Sequence, residues 1–191
     1  MTALSGWRRG RLAGRLQAFE PDPGRYPEDP LGVAVCEEAL AALDEGNYGI
    51  GAVVADRQGR IVVRARNRVF EPRFASDGHA EMEAVSRLER DHPDLDPADL
   101  TLVATLEPCP MCYTRLKIAG IGRVLYLAPD PDGGMVHKAG GLPSIWALLR
   151  PGQQFREARV SPELARLAWA MFRSNLRTLR AKLVRRGQSA S

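Results

Sequence analysis

The chain has 191 residues and a formal net charge of +4, enough for one domain with a sizeable core and too few for two comfortable ones. No stretch approaches the ~20 consecutive apolar residues of a membrane span, and no secretory apolar region is visible, so a membrane partner is not expected. Three cysteines argue against a disulfide framework and for a reducing compartment, the cytoplasm.

In chain order, residues 1–28 read as a basic arm and connector. The first 19 residues hold no acid but carry Arg8, Arg9, Arg11 and Arg15, with Leu12, Leu16 and Phe19 at helical spacing. Gly10 and Gly14 weaken any helix there, and an organellar targeting peptide is the alternative, although the segment is not Ser-rich. Residues 29–191 read as the functional domain. Asp29-Pro30 predicts a helix start, with Val33, Cys36, Leu40 and Leu43 on one face and an end near Gly46. Strands are predicted through Val54 and from Ile61 to Arg66, joined by a turn at Arg57-Gln58-Gly59 that delivers Asn67 to the sheet end.

A second helix opens at His79, where Met82, Val85 and Leu88 repeat at helical spacing until Pro93 forbids further turns. Leu100 to Leu106 reads as an apolar strand ending at the cysteines, the next helix closes at Gly120, and Val124 to Leu127 reads as a buried strand. Pro143 to Leu149 predicts a short helix and Phe155 to Val160 a fifth strand, parallel to the fourth. Ser161-Pro162-Glu163 starts a final helix over 161–187, capped by Ser161. Its end carries Arg173, Arg177, Arg180, Lys182, Arg185 and Arg186 and no acid. Such a cluster is either a phosphate-binding footprint or a solvated face favoured at a helix C-terminus.

Chemistry concentrates in Ser76-Asp77-Gly78-His79-Ala80-Glu81 and Glu107-Pro108-Cys109-Pro110-Met111-Cys112. His79, Cys109 and Cys112 are ligand types that zinc prefers, and three protein ligands plus a bound water mark a site that does chemistry. Cys109 and Cys112 fall on one side of a helical turn, and helix N-termini favour thiolates. Glu81 is a carboxylate free to carry protons: hydrolysis of an amidine carbon requires protons to leave water and to reach the ring nitrogen and the departing ammonia. H-x-E followed by P-C-x-x-C is the signature of zinc-dependent nucleobase deaminases. A structural zinc knot would require a fourth ligand, and Cys36, His92 and His137 do not sit at ligand spacing. A redox C-x-x-C would leave His79 and Glu81 unexplained.

Through these motifs the sequence, over roughly Leu31 to Arg186, resembles the cytidine deaminase superfamily, in the branch that includes guanine deaminases, tRNA adenosine deaminases and fungal cytosine deaminase. The resemblance implies a three-layer α/β/α fold with a mixed five-stranded sheet. It implies one Zn2+ per chain on His79, Cys109 and Cys112, with Glu81 as proton shuttle. It also assigns Asn67 to base or ribose, although Asn67 can equally cap a strand end, and it brings the backbone N–H of Ala80 to the base. The chain around Glu107 would line the pocket, Glu107 acting through its backbone or by packing rather than as a second acid. Asp130 to Lys138 departs from the family patterns; His137 or Trp146 there would reach a base or sugar, or the segment is a solvated loop. Phe70 and Phe74 would stack on a base or pack as a lid.

The expected function is hydrolytic deamination of an amino-substituted nucleobase, nucleoside or related small heterocycle. The alternatives are tRNA adenosine deamination and a catalytically silent zinc-binding partner subunit. A homodimer is expected from the resemblance.

Overall fold

The computed structural model of the protein describes residues 6–188. Residues 1–5 of the expected arm and 189–191 of the expected domain lie outside the described residues. Five strands, β1 (Gly51–Ala55), β2 (Ile61–Arg66), β3 (Thr101–Leu106), β4 (Arg123–Ala128) and β5 (Gln154–Glu157), form one sheet in the order β2-β1-β3-β4-β5. β1 is antiparallel to β2 and β3, while β3, β4 and β5 run parallel. The expected parallel arrangement of the last two strands is present. β2 through β5 therefore all point the same way, and their carboxyl ends share one edge of the sheet.

Alternation along the strands divides the core. Val53, Val103, Leu125 and Leu127 pack with α1 (Gly6–Gln17), α2 (Asp29–Asp44) and α6 (Pro162–Arg173). Ala52, Val54, Leu102, Ala104 and Val124 pack on the other face with α3 (Ala80–Asp91) and α4 (Pro110–Ala119). All six residues of β3 are buried, as a central strand covered on both faces requires. Leu164, Leu167 and Met171 of α6 are almost wholly buried, and each such side chain contributes about 1.5–3 kcal/mol on burial. This is the three-layer α/β/α arrangement expected.

Two segments differ from the pattern read in the sequence. The first is α1, which forms across Gly10 and Gly14 because Leu12 and Leu16 are buried against α2 and α6; tertiary burial outweighs the roughly 1 kcal/mol that each helical glycine costs. The second is the final helix, which is two helices, α6 and α7 (Leu176–Gln188), separated at Ser174-Asn175. Met171 packs in one core layer whereas Phe172 and Leu179 pack in the other. The break lets the chain pass from one side of the sheet to the other. Asn175 Nδ2 donates to the Asn47 carbonyl at 2.6 Å and fixes the corner. Between β4 and β5, the expected helix is the five-residue α5 (Ser144–Leu148).

Candidate metal centre and active site

Because β2 and β3 end on the same edge of the sheet, the helices that follow them begin side by side. His79 is the extended residue that precedes α3, and Cys109 the extended residue that precedes α4, with Pro110 opening that helix. Gly120 closes α4 in the left-handed conformation, φ 74°, where glycine has no steric penalty. His79 Nδ1 lies 3.6 Å from Cys109 Sγ and 3.5 Å from Cys112 Sγ. One ligand atom from each of His79, Cys109 and Cys112 falls within 4.8 Å of the others. Zinc bonds of about 2.3 Å to sulfur and 2.0–2.1 Å to nitrogen, at a tetrahedral angle, place N and S about 3.6 Å apart. The donor set therefore fits a tetrahedral zinc ion without rearrangement.

The electrostatics of the cluster agree. The hydrogen bond from Cys112, opposed by burial and joined by His79, holds the Cys109 thiol down at about 4. Its partner Cys112 is pushed up, by that same bond and by burial. A divalent cation binds the deprotonated sulfurs, so metal binding at this pair releases protons. Glu81, in the first turn of α3, is 4% exposed. Burial, then the Cys109 charge, pushes its carboxyl up to about 7, against the opposing pull of His79. A carboxyl near 7 is suited to both taking and giving a proton at neutral pH.

Asn67 is fully buried immediately after β2. Its Oδ1 accepts the Val69 N–H at 3.2 Å, while Nδ2 has no partner among the described residues. One end of the Asn67 side chain thus caps the turn, and the other is a buried donor without a protein partner among the described residues. Ala80 is the first residue of α3 and fully buried; the first helical hydrogen bond runs from Glu83 N–H to the His79 carbonyl, so the Ala80 N–H belongs to the unsatisfied first turn.

His137 stands in the loop after β4, with Nδ1 2.8 Å from Glu107 Oε1. Glu107 is the residue that sequence reasoning undervalued. Its buried carboxylate accepts N–H groups from Asp130 and His137, each at 3.0 Å, in addition to the His137 ring. A Cβ on Gly134 would run into this carboxylate, so the close approach of the loop to Glu107 requires glycine there. The signal available in the sequence was a carboxylate placed between an apolar strand and Pro108, followed by a glycine-bearing loop of matching reach. Trp146 instead lines a cavity of about 490 Å³ with Tyr113, Lys117 and Ser144; none of the zinc-ligand candidates borders it.

The loop from Asn67 to His79 is held from several sides. Asn47 Oδ1 accepts the N–H groups of Phe70 and Glu71 at 2.8 and 3.0 Å. Phe70 meets Tyr48 and Phe74 edge-on. From α7, the Arg186 guanidinium lies 3.8 Å over the Phe74 ring and Lys182 lies 5.5 Å over Phe70. The aromatic pair is thus packed within the fold, and part of the basic α7 is engaged by it.

An α/β/α fold with His79, Cys109 and Cys112 grouped between two helix N-termini and a buried acid in the first turn of α3 defines a candidate zinc-binding site. Residues 30–128 match the model of the cytidine and deoxycytidylate deaminase zinc-binding region, and the chain belongs to that family. A tRNA(Ile)-lysidine synthase of Deinococcus radiodurans is 38% identical over 128 residues, 63% of this chain and 21% of that protein. A tRNA-specific adenosine deaminase of Bacillus subtilis is 36% identical over 98 residues, 51% of this chain and 60% of that protein. The structure of a guanine deaminase from Nitrosomonas europaea matches with a TM-score of 0.61 at 25% identity, over 82% of this chain and 88% of that one. The chain spans less than two thirds of the length of these two curated relatives.

Proposed function

We propose that the protein is a zinc-dependent aminohydrolase that replaces the exocyclic amine of a nucleobase, nucleoside or related small heterocycle by oxygen and releases ammonia. The observation that carries this reading is the buried Glu81 carboxyl beside the preformed His79, Cys109 and Cys112 donor set. Zinc, when bound there, acidifies water from ~15.7 toward about 7 and supplies a nucleophile at neutral pH. Glu81 takes one proton from the attacking water and passes it to the ring nitrogen as the C–O bond forms, then takes the second from the new hydroxyl and delivers it to the amine as the C–N bond breaks. Water and amine are thereby converted to carbonyl and ammonia, and the carboxylate is regenerated. Asn67 Nδ2 and the Ala80 N–H orient the ring through donors already freed from internal partners. Glu107 fastens the loop that carries His137.

A second reading, deamination of adenosine in tRNA, is favoured by the Bacillus subtilis relative and by the acid-free basic face of α7, whose cationic side chains provide phosphate contacts. A homodimer suits the exposed Ile118, Ile145 and Leu148, and the cytoplasm suits the free cysteines. No helix among the described residues is long and apolar enough to cross a membrane.

The test is ammonia release from zinc-loaded protein with a panel of bases, nucleosides and an adenosine-bearing tRNA stem-loop, with Glu81→Ala as control. Turnover of a small heterocycle, abolished in the variant, is expected. Turnover of the stem-loop alone selects the second reading. Zinc at one equivalent with no turnover of any substrate would leave the silent partner subunit.

A further inference from the structure

We propose that α1 and the end of α6 form a second, non-catalytic site that takes a nucleotide phosphate group, with Trp7 as the platform for the attached base. A cavity of about 390 Å³ opens between these helices and is lined by Arg8, Arg11, Arg15, Arg173, Trp7 and Ser174. It lies in the α1-α2-α6 layer, on the face of the sheet opposite the helices that carry the zinc ligands.

The charge of this cavity is unbalanced. Among the described residues, none of its four arginines meets a carboxylate, and the acid that α1 does contact, Asp44, is held by Arg9. The sequence offers no remedy nearby, since the first 19 residues contain no acid. Arg15 and Arg173 stand in the last turns of their helices, where positive charge is favourable. Arg8 stands in the first described turn of α1, which holds no acid, and there it opposes the helix dipole, while Arg8 and Arg11, three apart, repel one another. An external anion removes both penalties.

The aromatic partner narrows the class of anion. Trp7 is 68% exposed, and the Arg11 guanidinium sits 4.9 Å over its ring. An exposed indole among guanidinium groups is the arrangement that receives a base and its phosphate together. A volume near 390 Å³ is in the range of small-ligand sites. A membrane surface fits less well, because the apolar side chains with which α1 would enter lipid, Leu12 and Leu16, are already buried against α2 and α6. Their burial also fixes the helix backbone that carries Arg8, Arg11 and Arg15 before any ligand arrives, which reduces the ordering cost of binding.

The phosphate comes either from a free nucleotide or from a nucleic acid strand, and one experiment separates the two. Calorimetric titration of the full chain uses UTP and, separately, an oligouridylate of about twelve nucleotides, at about 50 mM salt to keep electrostatic binding visible. Uracil carries no exocyclic amine, so neither probe is a deamination substrate. Arg8→Ala/Arg11→Ala is expected to weaken binding roughly tenfold or more, in line with loss of charge-assisted contacts, and Trp7→Ala several-fold, whereas Glu81→Ala leaves it unchanged. Alanine raises the helix propensity of α1, and circular dichroism confirms that the double variant is folded. Stoichiometric binding of UTP as tight as the oligonucleotide assigns the site to free nucleotides. Tighter oligonucleotide binding, with a salt slope reduced by about two in the double variant, assigns it to a strand. Binding of neither probe, equal binding by wild type and double variant, or binding that tracks Glu81 overturns the proposal.

Discussion

Glu107 and His137 are joined twice: one carboxylate oxygen accepts the His137 backbone N–H at 3.0 Å and lies 2.8 Å from the His137 ring nitrogen. The second oxygen accepts the Asp130 N–H at 3.0 Å, and Met135 N–H closes onto the Pro108 carbonyl at 2.9 Å. One buried carboxylate thereby ties the loop after β4 to the entrance of the zinc helix. In Glu107→Gln an amide N–H faces a backbone donor. The expected loss is about 1–3 kcal/mol, a fall in Tm of several degrees, together with a raised KM. His137→Ala keeps the backbone bond and is expected to cost less than Glu107→Gln in thermal unfolding. Equal losses would show that the ring, not the carboxylate, secures the loop.

Asn67 separates structure from substrate contact at one position. Among the described residues only the Val69 N–H depends on its oxygen, so Asn67→Ala is expected to lower stability by about 1 kcal/mol, the net worth of one neutral hydrogen bond. Loss of the unpartnered Nδ2 is expected to lower kcat/KM by roughly tenfold or more. Asn67→Asp retains the acceptor but not the donor and is expected to lose activity, and its buried carboxyl is expected to lower Tm at neutral pH. Full activity in Asn67→Asp would reduce the residue to a strand-end cap.

Removal of zinc exposes a cluster in which sulfur and imidazole are packed with no cation to hold them. Chelation is expected to lower Tm, because a metal bound only by the folded state contributes about 2.7 kcal/mol at a hundredfold excess over Kd. Zinc is expected to restore the transition and magnesium is not, since thiolate and imidazole donors do not suit a hard cation. Cys112→Ser is expected to bind substoichiometric metal. Cys36→Ala is expected to retain a full equivalent, because Cys36 is buried in the opposite layer. Metal analysis of purified variants checks both.

Glu28 provides a pH-dependent brace between the start of α2 and the end of β5. Burial by itself raises its carboxyl, but the Arg156 side chain at 2.9 Å, the Arg159 backbone N–H and the two guanidinium charges hold it below the ordinary 4.5. A depressed folded value means that the stabilisation is fully present above 4.5 and is lost as pH falls through the lower folded value. The Tm difference between wild type and Glu28→Gln is therefore expected to be largest near neutrality and to shrink progressively in more acidic solution. A difference constant with pH would show that the contact acts by packing alone.

The zinc trio and Glu81 were legible in the sequence because ligand identity and spacing suffice when a helix start fixes the geometry. The β1-β2 hairpin was legible because two short apolar runs flank a glycine turn. Glu107 was less so: a carboxylate whose three donors come from Asp130 and His137, over twenty positions away, leaves no local pattern. The end of the long C-terminal stripe misled for a related reason. Leu164 to Leu183 keeps helical spacing through the break, since α6 and α7 each need an apolar stripe, while the change of layer at Ser174-Asn175 depends on contacts with Asn47. In α1, local glycine propensity pointed away from a helix that Leu12 and Leu16 secure through their neighbours.

The contact of α7 with the Asn67–His79 loop also bears on how the molecule matures during synthesis. Arg186 and Lys182 rest on rings that left the ribosome more than one hundred residues earlier. Until α7 emerges, the nascent sheet and both ligand-bearing helices precede the cations that settle on Phe70 and Phe74. Translation therefore separates the arrival of the metal ligands from the fastening of the loop that leads to them, leaving an interval in which an ion can enter a less constrained site.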